Sequence, residues 1–262
     1  MYDFVEVNQR VSVTPRASDS VMINGNFIED TIPGYRHLYM AGRGLVSRMV
    51  DTTEVPLRDG VWVNYSQEEA RYIKVTYELS GDDSRRLRSH YVELNKLLRS
   101  VDERGLLTIR FNDELDYYYR GLLESASEPA EQALSMIGEF TLLIPDAYKY
   151  KDPQQSNGQV TLLNALEVTP DEITVRTQGT NPITRVVIKN GRDEFVLAGN
   201  YRPNELIRIK WGDRLTVTYL GRSILNNIAV QSFPDRFKLR NGDVVTASGA
   251  VVESVKWSDK AL

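Results

Sequence analysis

The chain has 262 residues and a mass of 29.9 kDa, enough for one large domain or two ordinary ones with a sizeable core. Hydrophobic residues make up 41% and charged residues 26%, which excludes a disordered chain. Cysteine is absent, which excludes a disulfide scaffold, a thiolate metal site and a cysteine nucleophile. The net charge of −4 is unevenly spread: residues 1–150 hold 17 Lys+Arg against 24 Asp+Glu, and residues 151–262 hold 15 against 12. An acidic first part argues against a nucleic-acid clamp there. No apolar run reaches the roughly 20 residues of a membrane helix, and Met1-Tyr2-Asp3-Phe4-Val5-Glu6 lacks the apolar stretch of a signal peptide. A chain made and folded in a cytoplasm, without membrane insertion, is expected.

In chain order, Val21-Met22-Ile23-Asn24-Gly25-Asn26-Phe27-Ile28 reads as strand, Asn-Gly turn and strand. Residues 32–66 carry Pro33, Gly34, Gly42, Gly44, Pro56 and Gly60 with scattered apolar residues. A long ordered loop or extended arm is expected there, and such a segment is hard to stabilise without a neighbour. Ile73, Val75, Tyr77 and Leu79 alternate with polar residues, the period of a half-buried strand. Leu87, Tyr91, Leu94 and Leu98 then mark one face of a helix over about 84–100, with N-cap side chains just before it. Leu106–Phe111, Tyr117–Leu123 and Phe140–Ile144 read as strands, and Glu124–Glu139, holding Pro129 and Gly138, as a loop or excursion.

The polar stretch from Pro145 to Gly158 has linker composition, and the charge balance changes sign there. Two domains are expected, 1–150 and 151–262. The second shows short apolar runs every 8–12 residues: Ile173–Thr177, Arg185–Ile188, Glu194–Leu197, Leu206–Lys210, Leu215–Tyr219, Ile228–Gln231, Phe237–Leu239, Val244–Ala247 and Val251–Trp257. Asn190-Gly191, Gly212-Asp213, Leu220-Gly221 and Asn241-Gly242 punctuate them. That pattern predicts an antiparallel sandwich. The fold class is mainly β: an α+β first domain with one helix, then a β-sandwich.

Catalytic constellations are weak. Asp113-Glu114-Leu115-Asp116 is the densest acid cluster, but neighbours beside a strand point to opposite faces, which suits a solvated turn or an acid patch better than a paired-carboxylate site. Ser89 and His90 are adjacent on the helix and do not face each other, and no Gly-x-Ser-x-Gly elbow occurs. His37 and His90 without cysteine make a poor transition-metal site, and no calcium loop is present. Gly42-Arg43-Gly44 lacks the Lys and the context of a phosphate loop. The residues point to no enzyme and no cofactor. Tyrosines 117 to 119 read as alternating core and surface residues or as an exposed binding ladder. Tyr201, Trp211, Tyr219 and Trp257 offer a possible sugar or partner platform in the second domain, the basis of an alternative function as a carbohydrate-binding adhesin module.

Several ordered phrases carry a family resemblance: Val21-Met22-Ile23-Asn24-Gly25, Val55-Pro56-Leu57-Arg58-Asp59-Gly60, Ile73–Asp83 leading into Leu94-Asn95-Lys96-Leu97-Leu98, Leu107–Gly121 and Gly138–Tyr150. Gly212–Val217, Asn226-Asn227-Ile228, Ser232-Phe233, Phe237-Lys238-Leu239 and Asn241-Gly242-Asp243 continue it. Together they resemble the distal tail proteins of siphophages infecting Gram-positive bacteria. The chain departs from that family's pattern at Leu115 and Ala147, where the family carries proline, and at Tyr117, where it carries arginine.

The resemblance implies a galectin-like second domain and a homohexameric ring at the virion tail tip, assembled in the host cytoplasm. Implied partners are the major tail tube protein, a tail-associated tip protein and receptor-binding or baseplate proteins, with DNA passing through the channel unspecifically. A ring makes 32–66 and the 84–100 helix interface candidates, with Tyr35, Arg43, Arg48, Arg85, Arg88 and Tyr91 as contact residues.

Overall fold

The computed structural model describes residues 16–57, 59–127, 134–212 and 214–262. The chain start, Arg58, Pro129 and Asp213 lie outside the described residues. The chain divides into two compact units, the first ending at Lys149 and the second spanning Tyr150–Ala261.

In the first unit, β1 (Val21–Ile23) and β2 (Asn26–Phe27) form the Asn-Gly hairpin. Asn24 and Gly25 both take positive φ, 49° and 88°, as its turn requires. A single-turn helix, α1 (Ile28–Thr31), follows and adds to the one helix expected. Next come β3 (Tyr35–Ala41), β4 (Arg48–Glu54), β5 (Val61–Glu68) and β6 (Arg71–Ser80). Helix α2 (Ser84–Leu98) leads to β7 (Leu107–Phe111), β8 (Tyr117–Ala126) and β9 (Ser135–Ile144).

Strands pair antiparallel in the order β2-β1-β7-β8-β9-β6-β3. Strand β8 pairs with β7 through Tyr119–Gly121 and with β9 through Leu122–Ala126. The core gathers Ile73, Val75, Tyr77 and Leu79 of β6 with Ile109, Phe111, Tyr119, Phe140 and Leu142. Leu87, His90, Leu94 and Leu98 are the buried face of α2, and the Asp83 side chain accepts from Arg86 N at 2.7 Å to cap it.

Two sequence expectations need correction. The stretch 124–139 is strand at both ends, because β6 pairs with β9 over ten residues, down to Ser80 opposite Ser135. Gly138 suits that ladder: a Cβ there would lie 2.6 Å from the Tyr77 hydroxyl. The segment 32–66 is no continuous arm, since Tyr35–Ala41 is strand β3, built into the sheet against β6. Only β4 and β5 stand apart, as a two-stranded sheet.

The chain then runs through β10 (Lys149–Lys151), which pairs with β20 (Lys260–Ala261). Within the second unit, β11 (Gln154–Ser156), β12 (Glu172–Thr177), β15 (Leu206–Lys210), β16 (Thr216–Tyr219), β17 (Arg222–Ser223) and β19 (Ala250–Trp257) form one sheet, in the order β11-β19-β12-β15-β16-β17. Strands β13 (Ile183–Lys189), β14 (Glu194–Tyr201) and β18 (Thr246–Ser248) form the other, in the order β14-β13-β18. One core, including Ile173, Val175, Val186, Ile188, Leu197, Ile207 and Val255, draws on both sheets, which makes a sandwich.

The runs Ile228–Gln231 and Phe237–Leu239 are not strands. Phe237 and Leu239 are buried, but only Leu239 joins a ladder, through one isolated bridge to Val168. In the second run the apolar pattern records burial rather than pairing, whereas in the first Ile228 makes one isolated bridge to Leu197 and Val230 is exposed.

Candidate assembly surface

The hairpin of β4 and β5 runs from Arg48 opposite Glu68 to Glu54 opposite Val61. The register slips between Asp51 and Thr52, leaving Asn64 as the extra residue. Its Nδ2 donates to Asp51 Oδ2 and Thr53 Oγ1, both at 2.8 Å. Val50, Thr52, Val61 and Val63 share one face, and Met49, Thr53, Trp62 and Tyr65 the other. All eight of these side chains are exposed, and among the described residues neither strand pairs with a third. An isolated two-stranded ribbon is marginal in water, and its open edges invite another chain.

Two guanidinium groups hold the root of this hairpin. Arg71, at the start of β6, is 3% exposed. Its Nε donates to Ala147 O at 3.1 Å, and its Nη1 to Gly42 O and Gly44 O at 3.2 and 3.0 Å. Gly42 sits at φ 99°, and a Cβ there would lie 1.9 Å from Tyr72 O, so no other residue fits without moving the strand. Ala147 takes φ 62°, which proline cannot adopt, so alanine here allows the carbonyl its place on Arg71.

Arg43 binds Asp113 through both Nη atoms, at 2.9 and 2.8 Å, and Glu114 at 3.3 Å. Its guanidinium carbon lies 4.3 Å from the Phe111 ring centroid. Lys149 pairs with the other Glu114 oxygen. The acid cluster is thus an ion-pair hub and presents no pair of free carboxylates.

The remaining interface candidates are scattered. Tyr35 is buried and stacked on Tyr77, ring centroids 5.4 Å apart. Burial pushes the Tyr35 hydroxyl well above its ordinary pKa, with Glu29, Tyr77 and Asp19 adding to the effect. Arg48 lies on the hairpin, its Nε 2.9 Å from Glu68. Arg85 and Arg88 are exposed on α2, and Tyr91 is half-buried against the core. The structure brings only Arg43 and Arg48 near the hairpin, and the sequence reading missed Arg71.

Both histidines are structural. His90 Nδ1 lies 2.7 Å from Ser80 O and ties α2 to the end of β6. His37 Nε2 lies 3.1 Å from the Asp19 carboxylate. Of the tyrosine run, Tyr119 is buried edge-on to Phe111, while Tyr117 and Tyr118 are half-buried. Among the described residues, no group of three His, Cys, Asp or Glu is placed to hold a metal ion. No helix among them is long and apolar enough to cross a membrane.

The four aromatic candidates of the second unit line its interior. Tyr201 and Trp257 are buried in the core, and Trp257 Nε1 donates to Thr161 O at 3.1 Å. Trp211 stacks on Phe237 at 6.0 Å, and its Nε1 donates to Pro234 O. Tyr219 packs edge-on to Tyr201, and its hydroxyl accepts from Arg202 N at 2.7 Å. These rings form no open platform, because each is spent on packing. Asp259, unnoticed in the sequence, is fully buried and accepts from the backbone N–H groups of Leu163, Asn164, Ala165 and Lys260. It anchors the 163–165 loop.

Residues 27–144 match the family model of the phage tail protein RIFT-related domain, a span that includes the hairpin, α2 and both arginines. Among solved structures, the chain is similar to the distal tail protein of phage SPP1, described as a hub of the adsorption apparatus of phages infecting Gram-positive bacteria. Identity is 18%, coverage is 93% of this chain and 99% of that one, and the TM-score is 0.73. It is also similar to chains of the phage p2 baseplate in its activated conformation. With strontium the TM-score is 0.54 at 9% identity, covering 94% and 99% of the two chains. With calcium it is 0.51 at 9% identity, covering 87% and 91%. No curated protein sequence matches the chain.

Proposed function

Because residues 27–144 match the phage tail protein RIFT-related domain, we propose that this chain is a tail-tip hub, six copies closing a ring between tail tube and baseplate. The observation that carries the reading is the β4–β5 hairpin, whose valines, Met49, Trp62 and Tyr65 are exposed within the matched domain. A closed ring needs two different patches on each copy, and the hairpin supplies one of them. The first 150 residues carry seven more acidic than basic residues, and a channel lined by that charge would repel DNA and let it pass. The second unit offers exposed Leu166, Val230 and Phe233 for tip, baseplate or receptor-binding proteins.

The test is light scattering and negative-stain imaging of the full chain, beside a variant with residues 47–69 replaced by a short Gly-Ser linker. The wild type is expected to give six-fold rings with a mass near six times 29.9 kDa. The variant is expected to stay a folded monomer. A wild type that remains monomeric both alone and with tail tube protein would overturn the reading.

A further inference from the structure

A pocket of about 310 Å³ opens in the second unit, between residues 231–236 and the turn that enters β14. The loop on one side of it is pinned from below. Ser232 is buried, and its hydroxyl donates to Val196 O at 3.3 Å and accepts from Val196 N at 2.8 Å. The short 3-10 turn Pro234–Arg236 is held by the Trp211 indole, which donates to Pro234 O at 3.2 Å. With Ser232 turned inward, its neighbours Gln231 and Phe233 are exposed. Phe233 is 57% exposed, with the Arg236 guanidinium carbon 4.9 Å from its ring centroid. Among the described residues, no side-chain hydrogen bond or ion pair engages Gln231, Asp235 or Arg236. A fixed loop that turns unpaired polar groups and an aromatic ring to solvent is preorganised for a ligand.

The lining selects the chemistry of that ligand. Arg192 and Arg236 face the same space as Asp193 and Glu194, so an anion or a cation would meet its own sign there. A neutral ligand rich in hydroxyls meets no such repulsion, because a hydroxyl donates to a carboxylate and accepts from a guanidinium or an amide. Phe233 adds an apolar face. A pyranose ring matches both features, with C–H groups on its face and hydroxyls around its edge. We propose that this pocket binds a neutral glycan, one sugar ring stacked on Phe233 and its hydroxyls bonded to Gln231, Arg236 and Asp193. An adjoining pocket of about 380 Å³ shares Arg192, Asp193 and Arg236, so a chain of sugars has room to run from one into the other. The inference goes beyond the hub reading and does not rest on it. It assigns Phe233 to a sugar and leaves Leu166 and Val230 to protein partners.

Saturation-transfer difference NMR on the full-length chain tests this, and it works equally on a monomer and on a ring. The probes are maltotriose, cellotriose and triacetylchitotriose, with trigalacturonate as the anionic counterpart. At least one neutral trisaccharide is expected to give signals, strongest at its ring C–H protons, with a Kd on the order of 1 mM. Phe233→Ala is expected to weaken that binding about tenfold, and Phe233→Trp, which keeps an aromatic face, to retain it. Gln231→Ala removes a hydrogen-bonding amide from an exposed position and should weaken it about threefold.

Silence from all three neutral trisaccharides would overturn the proposal and leave the ring reading standing. Signals from trigalacturonate alone would overturn the neutral class of ligand. Signals that survive Phe233→Ala undiminished would overturn this pocket as the place where the sugar binds. Sugar silence together with a tip protein that binds wild type but not Phe233→Ala would also overturn it, and would give the loop to a protein instead.

Discussion

Strands β5 and β19 are both eight residues long and both carry a tryptophan, yet Trp62 is 56% exposed and Trp257 is 3% exposed. Strand β19 has β11 on one side and β12 on the other, and its inner face meets the sandwich core. Among the described residues, strand β5 has β4 alone. Residue type therefore does not decide burial in this chain; the number of neighbouring layers does. An apolar ribbon left with one neighbour is half of an interface, whereas an aromatic residue between two sheets is finished.

The largest expected effect tests that contrast directly. Trp257→Ala empties a filled core position and removes a bond to the Thr161 carbonyl, so it should cost about 3–5 kcal/mol. Trp62→Ala in the monomer should cost less than about 0.5 kcal/mol. Differential scanning calorimetry of dilute protein reads both. A Trp62→Ala loss equal to that of Trp257→Ala would mean the hairpin is packed within its own chain, and the comparison would fail.

What could be read from sequence was local. Leu87, Leu94 and Leu98 carry the helical period of α2, and Asp83 supplies its cap, so periodicity and capping placed the helix. Asn24-Gly25 placed the first hairpin in the same way. The ends of β8 and β9 were illegible, because ten residues of β6 hold β9 in register from a distance. Arg71 was illegible too: its partners Gly42, Gly44 and Ala147 are backbone carbonyls 27 to 76 positions away, and carbonyls leave no mark on composition. The faces of Tyr201, Trp211, Tyr219 and Trp257 depend on which sheet covers which, and spacing within one strand does not contain that.

A smaller effect sharpens the buried side of the contrast. Burial pushes the Tyr77 hydroxyl up to about 12, with Tyr91 adding to it. The unfolded phenol titrates near 10, so the folded state holds its proton more tightly. The stabilisation is complete below pH 10 and is lost as pH rises toward 12, about 2–3 kcal/mol in all. Chemical denaturation between pH 9 and 12 should show this slope in the wild type and a shallower one in Tyr77→Phe. Tyr35, raised in the same direction, keeps some slope in the variant. An unchanged slope in Tyr77→Phe would show that burial of this phenol does not contribute to the first unit's stability.

The smallest effect lies on the exposed side. Val61→Thr with Val63→Thr keeps β-branched shape on one hairpin face while replacing two methyl groups with hydroxyls. In the monomer these side chains are exposed, so the change should move stability by less than about 0.5 kcal/mol. In the ring the same pair would bring two hydroxyls into a buried face without partners, which weakens assembly. Amide hydrogen exchange separates the two situations. Residues 48–68 should exchange fast in the dilute monomer, since each strand has one partner and both faces meet water. The same amides should be protected in assembled protein, and less so in the double variant. Protection already present in the dilute monomer would place the hairpin's missing layer inside this chain, leaving the ring to be built from some other surface.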